Sequence, residues 1–196
     1  MKKLGAVLFL AVALVVPALA EKPNMELIPK IGYLFTPEVT ADVAGKDVSS
    51  SSESAFCTGI ELFFDMDNNL FLGAGLMFGF NHKIDSNSDY KIGFSNLYAA
   101  VKYKFLVNGA EDDPFFLYPL FQLGFGYAGW DYSGHVIDYE VVGGLYWGAG
   151  VGAEFKNIIL EFIYGCDYAT EKGDNIKDRD LSYTAFRINV GYKFNL

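Results

Sequence analysis

The chain has 196 residues with 15 basic and 24 acidic side chains, which gives a net charge of −9, and 52% of its residues are hydrophobic. A chain this acidic lacks the lysine and arginine surface that nucleic-acid phosphates require, which excludes nucleic acid as a partner. After residue 20 no apolar run approaches the roughly 20 residues of a membrane-spanning helix, so the abundant apolar residues must alternate with polar ones.

Residues 1–20 have the composition of a secretory signal peptide. Lys2 and Lys3 precede an apolar run over residues 4–16, and the segment ends in Ala-Leu-Ala at Ala20. The apolar run is too short for a membrane anchor, and the small residues after it mark a cleavage site. We therefore predict a signal peptide over residues 1–20 and one mature domain over residues 21–196.

Eight segments of the mature chain alternate between apolar and polar residues with period two, which is the pattern of β-strands with two different faces. They cover residues 25–35, 55–65, 70–81, 91–105, 115–128, 139–155, 158–169 and 181–196. Pro29 and Pro119 each remove a backbone donor from their strand, which weakens the pairing there. Eight antiparallel strands in up-and-down order close into a barrel without an unpaired edge.

The connections between these segments alternate in length. Longer polar connections cover residues 36–54, 82–90, 129–138 and 170–180, and shorter turns cover residues 66–69, 106–114 and 156–157. Outer-membrane barrels have short periplasmic turns and longer extracellular loops, so the pattern indicates that topology. The first connection contains four consecutive serines, Ser49 to Ser52, and is predicted to be a long mobile loop.

Alternation alone fits both a soluble, lipocalin-like barrel with an apolar inside and a membrane barrel with an apolar outside. The apolar face is large and aromatic, whereas the other face is rich in glycine, which would fill a lipocalin-like cavity poorly. These features favour the membrane version. The predicted fold class is all-β, an eight-stranded antiparallel up-and-down transmembrane β-barrel, located in the bacterial outer membrane.

The last strand shows the two faces clearly. One face is apolar, with Phe186, Ile188, Val190, Tyr192, Phe194 and Leu196, and the other is polar or empty, with Arg187, Asn189, Gly191, Lys193 and Asn195. The ending, with Gly191, Phe194 and Leu196 at its characteristic positions, resembles the C-terminal β-signal by which outer-membrane barrels are recognised for insertion. That resemblance implies the barrel-assembly machinery as a partner.

The whole mature chain resembles the OmpA-type and opacity-type superfamily of outer-membrane β-barrels. The resemblance rests on the eight-strand layout, on residues 148–155 running into residues 159–164, and on the ending Gly191-Tyr192-Lys193-Phe194. It implies a barrel of a Gram-negative-type bacterium in contact with outer-membrane lipids and lipopolysaccharide. The sequence shows no peptidoglycan-binding domain after the eighth strand, so cell-wall tethering is not expected.

The predicted inward face collects charged and amide side chains. They are Glu26, Lys30, Glu61, Lys102, Lys104, Gln122, Glu154, Glu161, Arg187 and Lys193. These side chains would either line a narrow ion-conducting pore or pair across the barrel and fill it. An eight-stranded barrel is only just wide enough for its own side chains, and charges in so dry a space need partners. We therefore expect a structural salt-bridge network with Arg187 and the glutamates at its centre.

Two histidines, His82 and His135, lie at predicted extracellular rims. His82 has Asp85 and Ser86 nearby and His135 follows Ser133, so a Ser/His/acid grouping is conceivable. Residues of these types are common in loops, and neither segment resembles the catalytic motif of the lipid A deacylase. We expect no catalytic residues, and a lipid A-modifying barrel enzyme stays the third interpretation.

The two cysteines fall on different faces, Cys57 with the polar set of its strand and Cys166 with the apolar set of another. Side chains on opposite faces of a barrel wall do not meet the geometry of a disulfide, so two free thiols are expected. Two isolated histidines and two separated cysteines also give no ligand cluster, so neither a metal nor another cofactor is predicted.

Aromatic residues near the outer strand ends fit the girdle that membrane proteins place at the lipid–water interface. They are Tyr33, Trp130, Tyr132, Tyr139 and Tyr168. Recognition sites concentrate on loops carried by rigid scaffolds. The sequence therefore favours a non-enzymatic protein that supports outer-membrane integrity or recognises a host or surface ligand through its loops. A narrow pore or hydrophobic-ligand channel is the alternative.

Overall fold

The computed structural model describes residues 24–43, 45–84, 90–108, 114–132, 139–173 and 176–196. The predicted signal peptide lies outside this range. The described residues form twelve strands: β1 (Met25–Val43), β2 (Lys46–Ser51), β3 (Ala55–Asp65), β4 (Leu70–Gly79), β5 (His82–Lys83), β6 (Tyr90–Tyr103), β7 (Phe105–Asn108), β8 (Phe115–Tyr132), β9 (Tyr139–Phe155), β10 (Ile158–Gly173), β11 (Ile176–Tyr192) and β12 (Phe194–Asn195). Among them there is no helix long and apolar enough to cross a membrane.

Eight long strands close into one antiparallel barrel in the order β1, β3, β4, β6, β8, β9, β10 and β11. The barrel closes where β11 pairs with β1, with Ile31 opposite Val190. Each of the eight predicted segments coincides with one of these strands, so the predicted up-and-down barrel is confirmed. Closure leaves no unpaired backbone row on the long strands, which is the requirement for a strand that crosses lipid.

The outward face is apolar, as predicted. Its exposed side chains include Ile31, Phe56 and Phe186, each about two-thirds accessible, and a row of such residues follows every long strand. The inward positions between them are buried and hold the charged and amide side chains. Pro29 and Pro119 both lie on exposed outward positions and both strands continue through them.

The strands reach further than the sequence predicts at the end of the barrel that carries the longer connections. The segment over residues 36–54 is not a structureless loop, because β1 continues to Val43 and pairs with β2 as far as Glu38 opposite Ser51. Gly45, with φ +79°, makes the turn, and the Asp42 carboxylate accepts a hydrogen bond from its backbone N–H. Ser49, Ser50 and Ser51 pair with β1 as part of a strand, so the expectation of a mobile loop over residues 36–54 was wrong.

Four other connections also contain strand, namely the three remaining longer ones and the shorter turn over residues 106–114. β8 continues to Tyr132. β10 ends at Gly173 and β11 begins at Ile176, so most of residues 170–180 form a hairpin. β5 pairs with the start of β6, and β7 pairs with the start of β8. The sequence underestimates these lengths because strand pairing outside the membrane needs no apolar alternation.

A β-bulge between β9 and β10 changes one predicted side-chain direction. The register shifts between Asp167 and Ala169, so β9 contains one residue more than its partner there. Above the bulge Val142 is exposed and Val141 packs against the buried cluster. Unbroken alternation from Leu145 would place Val141 on the outward face, but the extra residue reverses the period-two pattern above the bulge.

Candidate functional site in the barrel lumen

The end of the lumen nearest the short turns is filled by an ionic cluster. Glu26 accepts hydrogen bonds from Lys102 at 2.8 Å and from Lys104 at 2.5 Å. Glu154 contacts Lys104 at 2.7 Å and Lys193 at 2.5 Å. These contacts join β1, β6 and β9 and the residues that directly follow the ends of β6 and β11 through the interior. We call this cluster the lower ionic layer.

One lysine holds two carboxylates in the middle of the lumen. Lys30 Nζ lies 2.5 Å from Glu61 Oε2 and 2.6 Å from Glu161 Oε2, and all three side chains are at most 1% exposed. This arrangement, the middle ionic layer, links β1 through the lumen to its neighbour β3 and to β10. A buried carboxylate needs a cation and further hydrogen bonds to offset its desolvation.

Neutral donors complete the middle ionic layer. Glu61 accepts from Tyr98 at 2.8 Å and from Gln122 at 3.0 Å, and Glu161 accepts from Tyr118 at 3.0 Å and from Asn189 at 3.3 Å. The donors come from β6, β8 and β11, so six of the eight long strands send side chains to this level. In the part of the chain that the structure describes, these contacts therefore fill the lumen at the level of Lys30.

Glycines on the inward face give these large side chains their space. A β-carbon at Gly152 would overlap the ring of Tyr118, and one at Gly75 would lie 2.6 Å from Tyr98 Cζ. The glycine-rich inner face thus accommodates the tyrosines that bind the central glutamates. It does not leave a wide, wet interior.

Arg187 does not occupy the centre of the network. Its guanidinium donates to Gln122 at 3.2 Å and to Tyr146 at 3.3 Å, both neutral groups. Within the described residues it makes no ion pair, and its Nε is buried without a hydrogen-bond partner. The expectation that Arg187 is the hub was wrong, because Lys30 lies at the level of Glu61 and Glu161 whereas Arg187 lies one level higher.

The charge that faces Arg187 is Asp167, which the predicted set omits. Both line one small cavity, and Asn96 donates to Asp167 Oδ1 at 2.7 Å when its amide nitrogen is turned toward that oxygen. The same alternation that places Glu161 inward also places Asp167 inward, so the sequence held this signal. Among the described residues the lumen then contains five buried carboxyl groups and, counting Lys193, five basic groups, so the two kinds are equal in number.

The cavity between these two residues has a volume of about 30 Å³, enough for about two water molecules. His82 closes it on the side of the longer connections, and its Nε2 lies 3.1 Å from the hydroxyl of Tyr183. The Tyr183 ring stacks on Phe94 at 4.7 Å. His82 therefore turns into the barrel mouth, where burial lowers its pKa although the Phe80 carbonyl and Glu53 favour its charged form.

The other sequence candidates do not assemble into a site. Both cysteines are free: Cys57 lines the cavity, and Cys166, although it alternates outward, is buried opposite Trp147. In the described part of the chain no group of three or more His, Cys, Asp or Glu side chains could hold a metal ion. His135, Ser133, Asp85 and Ser86 lie outside the described residues, as do the side chains of Trp130, Tyr132 and Tyr139.

A family model for the outer membrane protein beta-barrel domain matches residues 6–194. The chain belongs to this family of Gram-negative outer-membrane proteins, which establishes its location in the outer membrane. The comparison with curated protein sequences returned no significant match.

Solved structures of outer-membrane barrels share the fold. OprG from Pseudomonas aeruginosa is 10% identical, with 89% of this chain and 97% of that chain covered and a TM-score of 0.50. AlkL, solved in lipid bilayers, is 11% identical over 89% and 91% of the two chains, with a TM-score of 0.51. Neisserial surface protein A is 14% identical over 87% and 97%, with a TM-score of 0.48. For OprG and AlkL the likeness at these identities concerns the fold alone.

Proposed function

We propose that this outer-membrane barrel is a non-enzymatic, non-conducting scaffold that supports the membrane and recognises partners through its extracellular extensions. The observation that carries the proposal is the filled lumen. The lower ionic layer and the middle ionic layer, which centres on Lys30, block the axis one above the other. Because the two layers leave no passage through the barrel, a partner can contact the protein only at its outer face or at its extracellular end.

The extracellular extensions carry a strong negative charge. The four longer connections contain twelve acidic and five basic residues, a net charge of −7. On the first extension Glu38, Asp42, Asp47 and Glu53 are exposed, and Lys46 is its single basic residue. A negative surface attracts cationic partners and repels polyanions. The partner class that fits this surface is a basic peptide or protein.

Two further partners follow from the proposal. Outer-membrane lipids and lipopolysaccharide would contact the apolar outward face. The barrel-assembly machinery would bind the β-signal, whose Phe194 and Leu196 are exposed on the outward side of the last strand whereas Gly191 is buried.

Binding of charged peptides tests the recognition proposal. We expect the protein in zwitterionic nanodiscs to bind a fluorescent ten-residue oligolysine and not an oligoglutamate of the same length, with binding weakened by salt. The variant E38Q/D42N/D47N/E53Q should lose most of this binding. The matched control D67N/E111Q/D112N/D113N neutralises four acids on the predicted periplasmic side and should retain more. Equal losses of oligolysine binding in the two variants would contradict the proposal.

A narrow pore is the second candidate, since the cavity below His82 leaves part of the lumen unfilled. It would need a continuation through the middle ionic layer, where the side chains are in direct contact. The described residues give no comparable support for a lipid A-modifying enzyme. In His82, Nδ1 contacts the Phe80 carbonyl and Nε2 contacts the Tyr183 hydroxyl, so both ring nitrogens are already engaged.

A further inference from the structure

An apolar groove of about 400 Å³ lies on the outward face near the short turns. Cross-strand register shows how it forms. One row of neighbouring residues across the strands contains Phe105, Leu117, Ala153 and Leu160. The next row contains Pro119, Val151 and Phe162. The small side chains Ala153 and Pro119 form the floor, and the larger residues on β7, β8 and β10 form the walls. The groove ends against Tyr118, whose buried ring seals the wall behind it.

We propose that this groove binds an acyl chain of one phospholipid from the periplasmic leaflet. The groove opens on the lipid-exposed face of a transmembrane barrel, so its surroundings are acyl chains. A groove left empty forfeits the van der Waals contacts of its lining atoms, and in a bilayer such packing, not the hydrophobic effect, decides which chain stays. A flexible acyl chain adapts to a groove better than a flat protein surface does.

A cation lies where the headgroup of this phospholipid would be. Lys156 is in the turn that follows β9, three residues beyond Ala153, which is about 10 Å along the strand. Its Nζ lies 5.4 Å from the centre of the Phe155 ring, which is half-exposed on the outward face. A lysine at this level attracts the phosphate of a lipid and adds a preference for an anionic headgroup.

Native mass spectrometry tests the groove directly. The protein is extracted in mild detergent with phosphatidylglycerol and phosphatidylethanolamine, and retained lipid is counted after collisional stripping. We expect one retained phospholipid, with phosphatidylglycerol preferred. A153F should reduce the retained fraction at least about fivefold, a weakening of about 1 kcal/mol. A153L should give a smaller loss and guards against misfolding, which heat-modifiable gel mobility detects.

A99F is the matched control, because Ala99 is also small and lipid-exposed but lies on β6 outside the groove. It should retain lipid like the original chain. K156Q should keep the lipid and lose the preference for phosphatidylglycerol. Equal loss in A153F and A99F, no retained lipid in the unaltered protein, or a dimer in place of the lipid-bound monomer would each overturn the proposal.

Discussion

Lys30 Nζ lies 2.6 Å from Glu161 Oε2, and this contact joins β1 to β10 through the inside of the barrel across 131 positions of sequence. Because Lys30 also holds Glu61, replacing it leaves two buried carboxylates without their cation. We expect K30M to lower the free energy of unfolding by about 3–5 kcal/mol. Urea unfolding in detergent micelles, followed by tryptophan fluorescence, measures this.

A partly exposed ion pair provides the control for K30M. Arg179 and Glu171 lie 3.9 Å apart on the extension of β10 and β11. E171Q should change the free energy of unfolding by less than about 1 kcal/mol, as exposed pairs do. The triple variant K30M/E61Q/E161Q removes the charges together and should recover a large part of the loss. A K30M protein as stable as the original would contradict the role of the middle ionic layer.

Arg187 should matter less to stability than Lys30, although both are buried cations. Its removal leaves one carboxylate, Asp167, beside a cavity with room for water, and frees no ion-pair partner. We expect R187M to cost about 1–2 kcal/mol, less than K30M in the same urea series. A larger cost for R187M than for K30M would show that Arg187 is the hub after all.

His82 should make stability depend on pH. Its pKa is lowered by burial, so the folded protein binds fewer protons than the unfolded chain near the ordinary histidine pKa of about 6.5. The stability that neutral His82 contributes is present above that pH and is lost as the pH falls through the lowered pKa. We expect the free energy of unfolding of the original chain to fall between pH 7.5 and pH 5 relative to that of H82Q. An identical pH dependence in the two proteins would refute the assignment to His82.

Both thiols should be protected in the folded barrel, because Cys57 and Cys166 are buried and unpaired. We expect a maleimide reagent to label neither cysteine in the folded protein and both after unfolding without reductant. S51C, with a cysteine on the exposed strand β2, should add one label in the folded state. An absence of labelling after unfolding would reveal a disulfide.

The sequence predicts the direction of most side chains in the membrane part of the barrel. Lys30 and Glu161 point inward because lipid tolerates no charge on the outside, so a period-two pattern has one physical solution. The reversal at Val141 was not predictable in this way, because the bulge is an extra residue that leaves no mark in the alternation. The β1–β2 hairpin was missed because water accepts polar residues on both faces of a strand.

The sequence also does not predict which charged side chains pair with each other inside the lumen. The inward set includes both Arg187 and Lys30, and the sequence placed Arg187 at its centre. Only the stagger between strands decides that Lys30 shares a level with Glu61 and Glu161. The cap over the cavity shows the same limit. His82 and Tyr183 meet across the barrel mouth, 101 positions apart, although nothing in the residues around either one points to the other.

Single-channel recording in planar lipid bilayers tests the closed lumen most directly. The reconstituted protein, with insertion verified by heat-modifiable gel mobility, should give no unitary current steps, because the lower and middle ionic layers leave no continuous water path. Reproducible unitary steps from the unaltered protein would contradict the account and establish a pore.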